Sequence, residues 1–233
     1  MAARASGNTN LRTAYSWGMT TEAMTTTSTG TTRIESVEAL VDLLGEPLPR
    51  VRDKARPALL DIDIAWLAAS PFCVVATSNP DGTCDASPKG DPAGFVHVID
   101  DRTIAIPERK GNRRADGYKN ILANPHVGLL FLIPGRGDTL RINGRAHLVS
   151  DAPWFDEMIV KAHRPVLALV VEIDEIFGHC AKAFMRSQLW HPETWNPTAV
   201  SSRAEIAHLT EQPDQPVAAL EEYYGAQYAT GLY

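Results

Sequence analysis

A series of short apolar segments joined by tight turns, between residues 72 and 149, constrains the fold of this chain most strongly. The segments FCVVATS, FVHVI, TIAI and VGLLFLI are rich in residues that favour β-strands. The turn NPDG joins FCVVATS to TCDAS and contains Asp-Gly, a strong hairpin signal. Only one helical pattern crosses between these strands, so the order of elements predicts an antiparallel barrel rather than a doubly wound parallel sheet.

The longest strand pattern, DTLRINGRAHLV at residues 138–149, alternates between apolar and polar residues. Its apolar set begins with Leu140 and Ile142, and its polar set includes Thr139. Gly144 interrupts the alternation, which predicts a β-bulge or a close approach of another backbone. The apolar segment VLALVVEI at residues 166–173 predicts the last strong strand, and VGLLFLI is expected to be buried on both faces.

The pattern predicts four regions along the chain. Residues 1–32 are rich in Thr and poor in apolar residues, which favours a flexible N-terminal tail. Residues 33–60 are expected to form a helix, ended by Gly45, and a basic linker. Residues 61–195 contain a second helix, capped by Asp61, and the barrel, and residues 196–233 predict a C-terminal helical extension.

A cationic loop lies between a strand and a helix in the segment IAIPERKGNRRADGYKNILANP, residues 104–125. The strand ends at Pro107, and a helix is expected over residues 115–123. The formal net charge of the protein is -6, so a local cluster of cations stands out. Backbone N–H groups at a helix start, together with guanidinium groups, suit a phosphate. On charge alone, a solvated loop is an equally good interpretation.

Two further clusters are candidate sites. The sequence Ser87-Pro88-Lys89 ends a strand with a hydroxyl and a cation, although a solvated turn is the simpler interpretation. Lys182 and Arg186 are spaced to lie on one face of a helical turn, followed by Ser187, and a surface helix explains them equally well.

Several classes of function are disfavoured. The net negative charge argues against general nucleic-acid or anionic-membrane binding. No apolar run is long enough to predict a membrane span. Three cysteines without CxxC spacing indicate a reducing, cytoplasmic setting. Neither Walker nor G-x-G-x-x-G motifs occur, and no nucleophile–base motif assigns a catalytic residue. The adjacent His179 and Cys180 do not have metal-ligand spacing, so no metal site is predicted.

In their order and spacing, four segments resemble the pyridoxamine 5′-phosphate oxidase-like flavoproteins. They are ATSNPDGTCDASPKG, IAIPERKGNRRADGYKNILANPHVGLLFLIPG, DTLRINGRA and HCAKAFMRSQLW. The resemblance covers roughly residues 61–195. It implies a mainly β fold with flanking helices, an antiparallel split β-barrel of the FMN-binding type, and a homodimer with FMN at the subunit interface.

The resemblance also implies which residues bind the cofactor. The phosphate is expected at the loop after the fourth strand, the flavin ring along the strand that carries Lys89, and Thr139 at the ring edge. The segment at residues 182–187 is expected to come from the second subunit. The full set of expected cofactor-binding residues is Ser87, Pro88, Lys89, Ile106, Pro107, Arg109, Asn112, Arg113, Arg114, Thr139, Lys182, Arg186 and Ser187.

The expected activity is that of an FMN-dependent oxidoreductase, an oxidase or an NAD(P)H-linked reductase, which transfers a hydride between the flavin and a small organic substrate. The vitamin B6 oxidases carry an R-L-x-x-R-type segment near the C-terminus, whereas this chain reads SRAEIAHLTEQPDQPVAALEEYYG. Pyridoxine phosphate is therefore not the expected substrate. The alternatives are an F420-dependent reductase, a flavin-binding or sensory protein without turnover, and an anion-binding module without flavin.

Overall fold

The computed structural model describes residues 24–26 and 30–233, and the chain divides into two units, residues 1–53 and 54–233. The first unit contains the antiparallel strands β1 (Met24–Thr26) and β2 (Thr32–Ile34) and the helices α1 (Val37–Leu44) and α2 (Pro49–Arg52). Ser36 accepts a hydrogen bond from the backbone N–H of Ala39 and caps α1, and Gly45 ends it. The predicted tail, residues 1–32, lies largely outside the described residues.

The second unit contains the main sheet. Its elements are α3 (Asp61–Ala69), β3 (Phe72–Ser78), β4 (Cys84–Gly90), β5 (His97–Asp100), β6 (Thr103–Pro107), α4 (Asp116–Ala123), β7 (His126–Leu132), β8 (Thr139–Val149), β9 (Ala168–His179), α5 (Lys182–Ser187), α6 (Arg203–Thr210) and α7 (Val217–Tyr223). Short 3-10 helices cover Pro153–Met158, Pro192–Thr194 and Ala226–Gly231. The first of these lies between β8 and β9.

Seven antiparallel strands follow the order β4-β3-β7-β8-β9-β6-β5. The edge strands β4 and β5 do not pair with each other, so the sheet is not closed. The prediction of a mainly β, antiparallel split barrel with flanking helices is therefore confirmed. The second hairpin strand extends past its predicted end, through Pro88, which pairs with Val74 of β3. A proline is tolerated there because β4 is an edge strand, paired on one side only.

The core lies between the inward faces of the strands. On β8, Leu140, Ile142 and Ala146 are buried, as the alternation predicts, but Thr139 is also buried rather than exposed with the polar set. On β7, every second residue is buried and those between are half-buried or exposed, so the prediction of burial on both faces is only partly met. The reason is that an antiparallel sheet covered incompletely by helices leaves one face partly open.

Gly144 lies at an irregularity between β8 and β9, where the strand register shifts between Asn143 and Gly144. A Cβ atom at this position would lie 2.1 Å from the backbone oxygen of Glu172. The prediction of a bulge or a close backbone approach is confirmed by the close approach, and the register shift leaves Asp174 of β9 without a partner on β8.

Helix α4 packs across the open side of the sheet, against β3, β4 and β8. The Asn120 side chain donates to Thr77 Oγ1 at 3.0 Å, and the Asn124 side chain donates to the backbone oxygen of Ser78 at 3.0 Å. These bonds hold α4 on β3 and fix the loop that precedes it.

Among the described residues, no helix combines the length and the apolar character needed to cross a membrane.

A partly buried ion pair anchors the start of α3. The Arg56 guanidinium donates two hydrogen bonds to the Asp63 carboxylate, at 2.7 and 3.0 Å, and Asp63 also accepts the N–H of Leu60 at 2.8 Å. The helix is thus capped by Asp63, not by Asp61 as predicted. Burial alone would raise the pKa of Asp63, but the hydrogen bonds from Arg56 and Leu60 outweigh it and lower the pKa.

We expect Asp63→Asn to lower the free energy of unfolding by about 1–3 kcal/mol near neutral pH, because Arg56 loses a charged partner in a site where that carboxylate is only 6% exposed. The lowered pKa of Asp63 means that the pair stabilises the fold above the unfolded value of about 3.9 and that this contribution is lost as the pH falls through the folded value. Urea unfolding at neutral and acid pH should show the deficit shrink in acid. The exposed neighbour Asp61→Asn is the control, and equal deficits in the two variants would contradict the prediction.

Candidate functional site

A cavity of about 350 Å³ opens where the loop after β6 meets the start of α4 and the end of β4. Its volume falls within the range of roughly 300–1,000 Å³ that is usual for small-molecule and cofactor sites. Seven of the predicted cofactor-binding residues line it: Ser87, Pro88, Lys89, Pro107, Arg109, Asn112 and Arg113. The ends of β4 and β6 meet at this cavity, since the Lys89 ammonium group contacts Glu108, the residue that follows β6.

The cationic loop, residues 108–115, has an unusual backbone. Arg113 and Ala115 both adopt left-handed conformations, with φ of 62° and 56°, which cost roughly 1–2 kcal/mol each in residues other than glycine. Ala115 is the N-cap residue of α4, and its methyl side chain cannot accept a hydrogen bond from the first N–H groups of the helix. The first N–H groups of α4 therefore lack a capping acceptor, and Ala115 and Gly117 line the cavity. This arrangement suits an anion.

One wall of the cavity contains a hydrogen-bonded network of Lys89 on β4, Glu108 directly after β6 and Tyr118 on α4. The ammonium group of Lys89 lies 2.5 Å from Glu108 Oε2 and 2.8 Å from the Tyr118 hydroxyl, and that hydroxyl also donates to Glu108. Burial, followed by the hydrogen bond to Glu108, raises the pKa of Tyr118, so its hydroxyl stays protonated and acts as a donor.

Glu108 and Tyr118 were not among the predicted site residues. Glu108 directly follows Pro107 in the sequence, and Tyr118 lies in the first turn of α4, next to the cationic loop. A glutamate at the start of a cationic cluster is the signal that could have identified the network. The pairing itself depends on how β4, β6 and α4 meet.

The guanidinium of Arg109 is held by protein groups. Its Nε donates to the Asp91 carboxylate at 2.5 Å, and its other nitrogens donate to the backbone oxygens of Met158 and His163, at 2.6 and 3.3 Å. Asp91 is almost fully buried and also accepts the Tyr233 hydroxyl. Although Arg109 lines the cavity, its guanidinium is engaged by these protein groups and ties the cationic loop to the rest of the fold.

The remaining cations of the loop differ in their surroundings. Arg113 lines the cavity, as does Lys110, and within the described part of the chain neither side chain has a carboxylate partner. Arg114 does not line the cavity, and its guanidinium pairs with Asp116 at the start of α4. Arg113 and Lys110 are thus the loop cations that have charge to offer a ligand.

The other predicted residues do not reach this cavity. Ile106 is buried in the core behind it. Lys182, Arg186 and Ser187 lie on α5, and the Ser187 hydroxyl donates to the backbone oxygen of Phe184. Thr139 pairs with His179, near the start of α5, and its buried hydroxyl oxygen has no hydrogen-bond partner among the described residues.

The cysteines do not add a reactive group to the cavity. Cys73 pairs with Lys89 across β3 and β4, and burial raises the pKa of its thiol to about 12, which keeps it protonated. Cys84 is exposed at the start of β4, as its position beside the turn explains. In the described part of the chain, no three His, Cys, Asp or Glu residues are placed to hold a metal ion.

The fold and this cavity define a split-barrel protein with a cavity beside a cationic loop, and the family is shown by comparison. The model of the pyridoxamine 5′-phosphate oxidase family matches residues 64–180, half of the chain. The protein therefore belongs to this family, which confirms the resemblance seen in the sequence. No curated protein matches the chain.

Solved structures of several proteins are similar to part of this chain. HupZ of Group A Streptococcus is 17% identical, with 52% of this chain and 94% of that chain covered and a TM-score of 0.42. An FMN-binding protein from Syntrophomonas wolfei is 14% identical, with 52% and 88% covered and a TM-score of 0.39. An F420 reductase is 19% identical, with 48% and 93% covered and a TM-score of 0.34.

Proposed function

We propose that this protein binds FMN in the cavity beside the cationic loop and works as a flavin-dependent oxidoreductase on a small organic substrate. The observation that carries the proposal is that Lys89, Arg113 and the uncapped start of α4 border one cavity. The protein that contains this cavity is a member of the pyridoxamine 5′-phosphate oxidase family. A bound flavin would supply hydride transfer at its N5 atom.

The residues of this chain fit a phosphate-bearing cofactor. Arg113 and Lys110 would hold the phosphate together with the N–H groups at the start of α4, since all of them border the same cavity. The Ser87-Pro88-Lys89 strand end borders the cavity on its other side and would contact the rest of the cofactor. No side chain needs to act as the nucleophile, because the cofactor supplies the reactive atom.

We also propose a homodimer in which α5 of a second copy completes the site. Support comes from the position of Lys182 and Arg186, which share one face of α5 outside the cavity of their own chain. Further support comes from the buried hydroxyl of Thr139, which lies opposite His179 near the start of α5 and finds no hydrogen-bond partner among the described residues. Sedimentation at micromolar concentration should give the mass of two chains. A monomer that binds FMN tightly would contradict this arrangement.

Pyridoxine phosphate is not the substrate that we propose. The C-terminal segment that would have to hold its phosphate forms α6 and α7, which pack on each other through Ala204, Ala207 and Leu220. It lacks the arginine pair of the vitamin B6 oxidases. A small organic molecule without that phosphate, reduced or oxidised with NAD(P)H or oxygen as the second substrate, is the better candidate.

The absorption spectrum of the purified protein tests the proposal. We expect the bands of an oxidised flavin, or their appearance when FMN is added at micromolar concentration, and their loss on anaerobic addition of NADPH if the protein is a reductase. A parallel titration with F420 distinguishes the deazaflavin alternative. A protein that binds neither cofactor would overturn the proposal, and one that binds FMN without reduction or turnover would favour the flavin-binding alternative.

A further inference from the structure

The Lys89–Glu108–Tyr118 network brings a carboxylate into a cavity that otherwise suits anions. The side chains of Lys89 and Glu108 are 17% and 26% exposed, and their charged atoms are 2.5 Å apart. The ammonium group also lies 4.6 Å from the centre of the Tyr118 ring. Charges in such a partly buried site are screened less than on the open surface, so both act on a ligand in the cavity.

The pairing changes what the cavity presents to a ligand. An unpaired Lys89 would attract anions to the β4 side of the cavity. The adjacent carboxylate of Glu108 cancels most of that positive charge for a ligand that does not touch the pair. The loop side keeps Arg113 and Lys110, for which the described residues provide no carboxylate partner. The positive charge is therefore concentrated at one end of the cavity.

We propose that Glu108 orients anionic ligands by neutralising Lys89, so that the charged end of a ligand binds at Arg113 and its uncharged end lies along β4. Tyr118 is a positioning residue, because its hydroxyl donates to Glu108 and accepts from Lys89. This inference deepens the proposed function and rests on it for the identity of the ligand, but the charge effect itself applies to any anion in the cavity.

The test uses Glu108→Gln, in which an amide oxygen still accepts from Tyr118 and Lys89 but carries no charge. FMN is titrated by quenching of its fluorescence and inorganic phosphate by calorimetry. We expect Glu108→Gln to bind both about threefold to tenfold more tightly at low salt, since one repelling charge is removed. The gain should vanish in Glu108→Gln/Lys89→Gln. Glu172→Gln is the matched control, because Glu172 pairs with Arg145 on the exposed surface of β8 and β9.

Orientation is tested by a double-mutant cycle. In the wild-type background, Arg113→Ala should weaken FMN binding strongly, whereas in the Glu108→Gln background the loss should be smaller, because the freed charge of Lys89 offers the phosphate a second position. A merely structural ion pair would leave the Arg113→Ala loss unchanged. Tyr118→Phe serves as a second variant should Glu108→Gln fold poorly, and it should shift affinity in the same direction by a smaller factor.

The outcomes separate this inference from the proposed function. Weaker or unchanged binding of both ligands by a Glu108→Gln protein that melts like the wild type would overturn the inference, as would a gain that persists without Lys89. Tighter phosphate binding by Glu108→Gln in a protein that does not bind FMN would sustain the inference and overturn the proposed function. If the wild type binds FMN but Glu108→Gln binds neither ligand more tightly, the proposed function is sustained and the inference is overturned.

Discussion

Replacement of Gly144 by alanine is expected to lower the free energy of unfolding by at least about 3 kcal/mol. The new Cβ would lie 2.1 Å from the backbone oxygen of Glu172 on β9, and 3.1 Å from its carbonyl carbon. Both are backbone atoms in the longest strand pairing of the sheet, so neither can move without breaking ladder hydrogen bonds between β8 and β9.

Chemical denaturation of Gly144→Ala and of Gly178→Ala provides the measurement and its matched control. Gly178 lies on β9 opposite Leu140, and a Cβ added there would meet nothing within 4 Å. We expect this second variant to stay within about 1 kcal/mol of the wild type. Equal stability of the two variants would show that the bulge at Gly144 relaxes freely and would contradict the prediction.

Arg113→Ala is expected to weaken FMN binding by at least about tenfold, whereas Arg114→Ala should change it by less than about threefold. The two arginines are adjacent in sequence and identical in charge. Arg113 lines the cavity and is not paired with any carboxylate of the described residues, whereas Arg114 lies outside the cavity lining and is paired with Asp116. Only Arg113 therefore gains a partner when a phosphate binds.

Fluorescence titration of the two variants at equal ionic strength measures this difference, and each is the other's control for the loss of one positive charge. Thermal unfolding without FMN establishes that both proteins are folded. Equal weakening by the two substitutions would mean that the loop acts through its summed charge and not through a defined contact. Unchanged FMN binding in both, together with weaker binding of another anion, would mean that the loop serves that anion and would favour the anion-binding module.

The fold could be predicted from the sequence because its signals are local. Short β-rich segments, the Asp-Gly turn and the single helix between Pro107 and Asn124 are each visible within a few residues. The interruption at Gly144 also needs no tertiary information, since an isolated glycine in an alternating strand is itself unusual. The boundaries were less accurate, as with β4, where the freedom of an edge strand allows Pro88 to continue the pairing.

The site was predicted less completely because its contacts are long-range. Lys89, Glu108 and Tyr118 belong to β4, the end of β6 and α4, and no sequence pattern states that an open sheet brings these three together. Arg109 and Arg114 look equivalent to Arg113 in the sequence. Their carboxylate partners, Asp91 and Asp116, distinguish them only once the chain has folded.

By itself, the sequence determined the family, the antiparallel β class of the fold and the cationic loop between a strand and a helix, because strand, turn and helix preferences act over a few residues. Only the tertiary structure decided which cations of that loop keep their charge for a ligand and that a glutamate neutralises Lys89. The physical reason is that an ion pair depends on distances between side chains, and packing sets those distances.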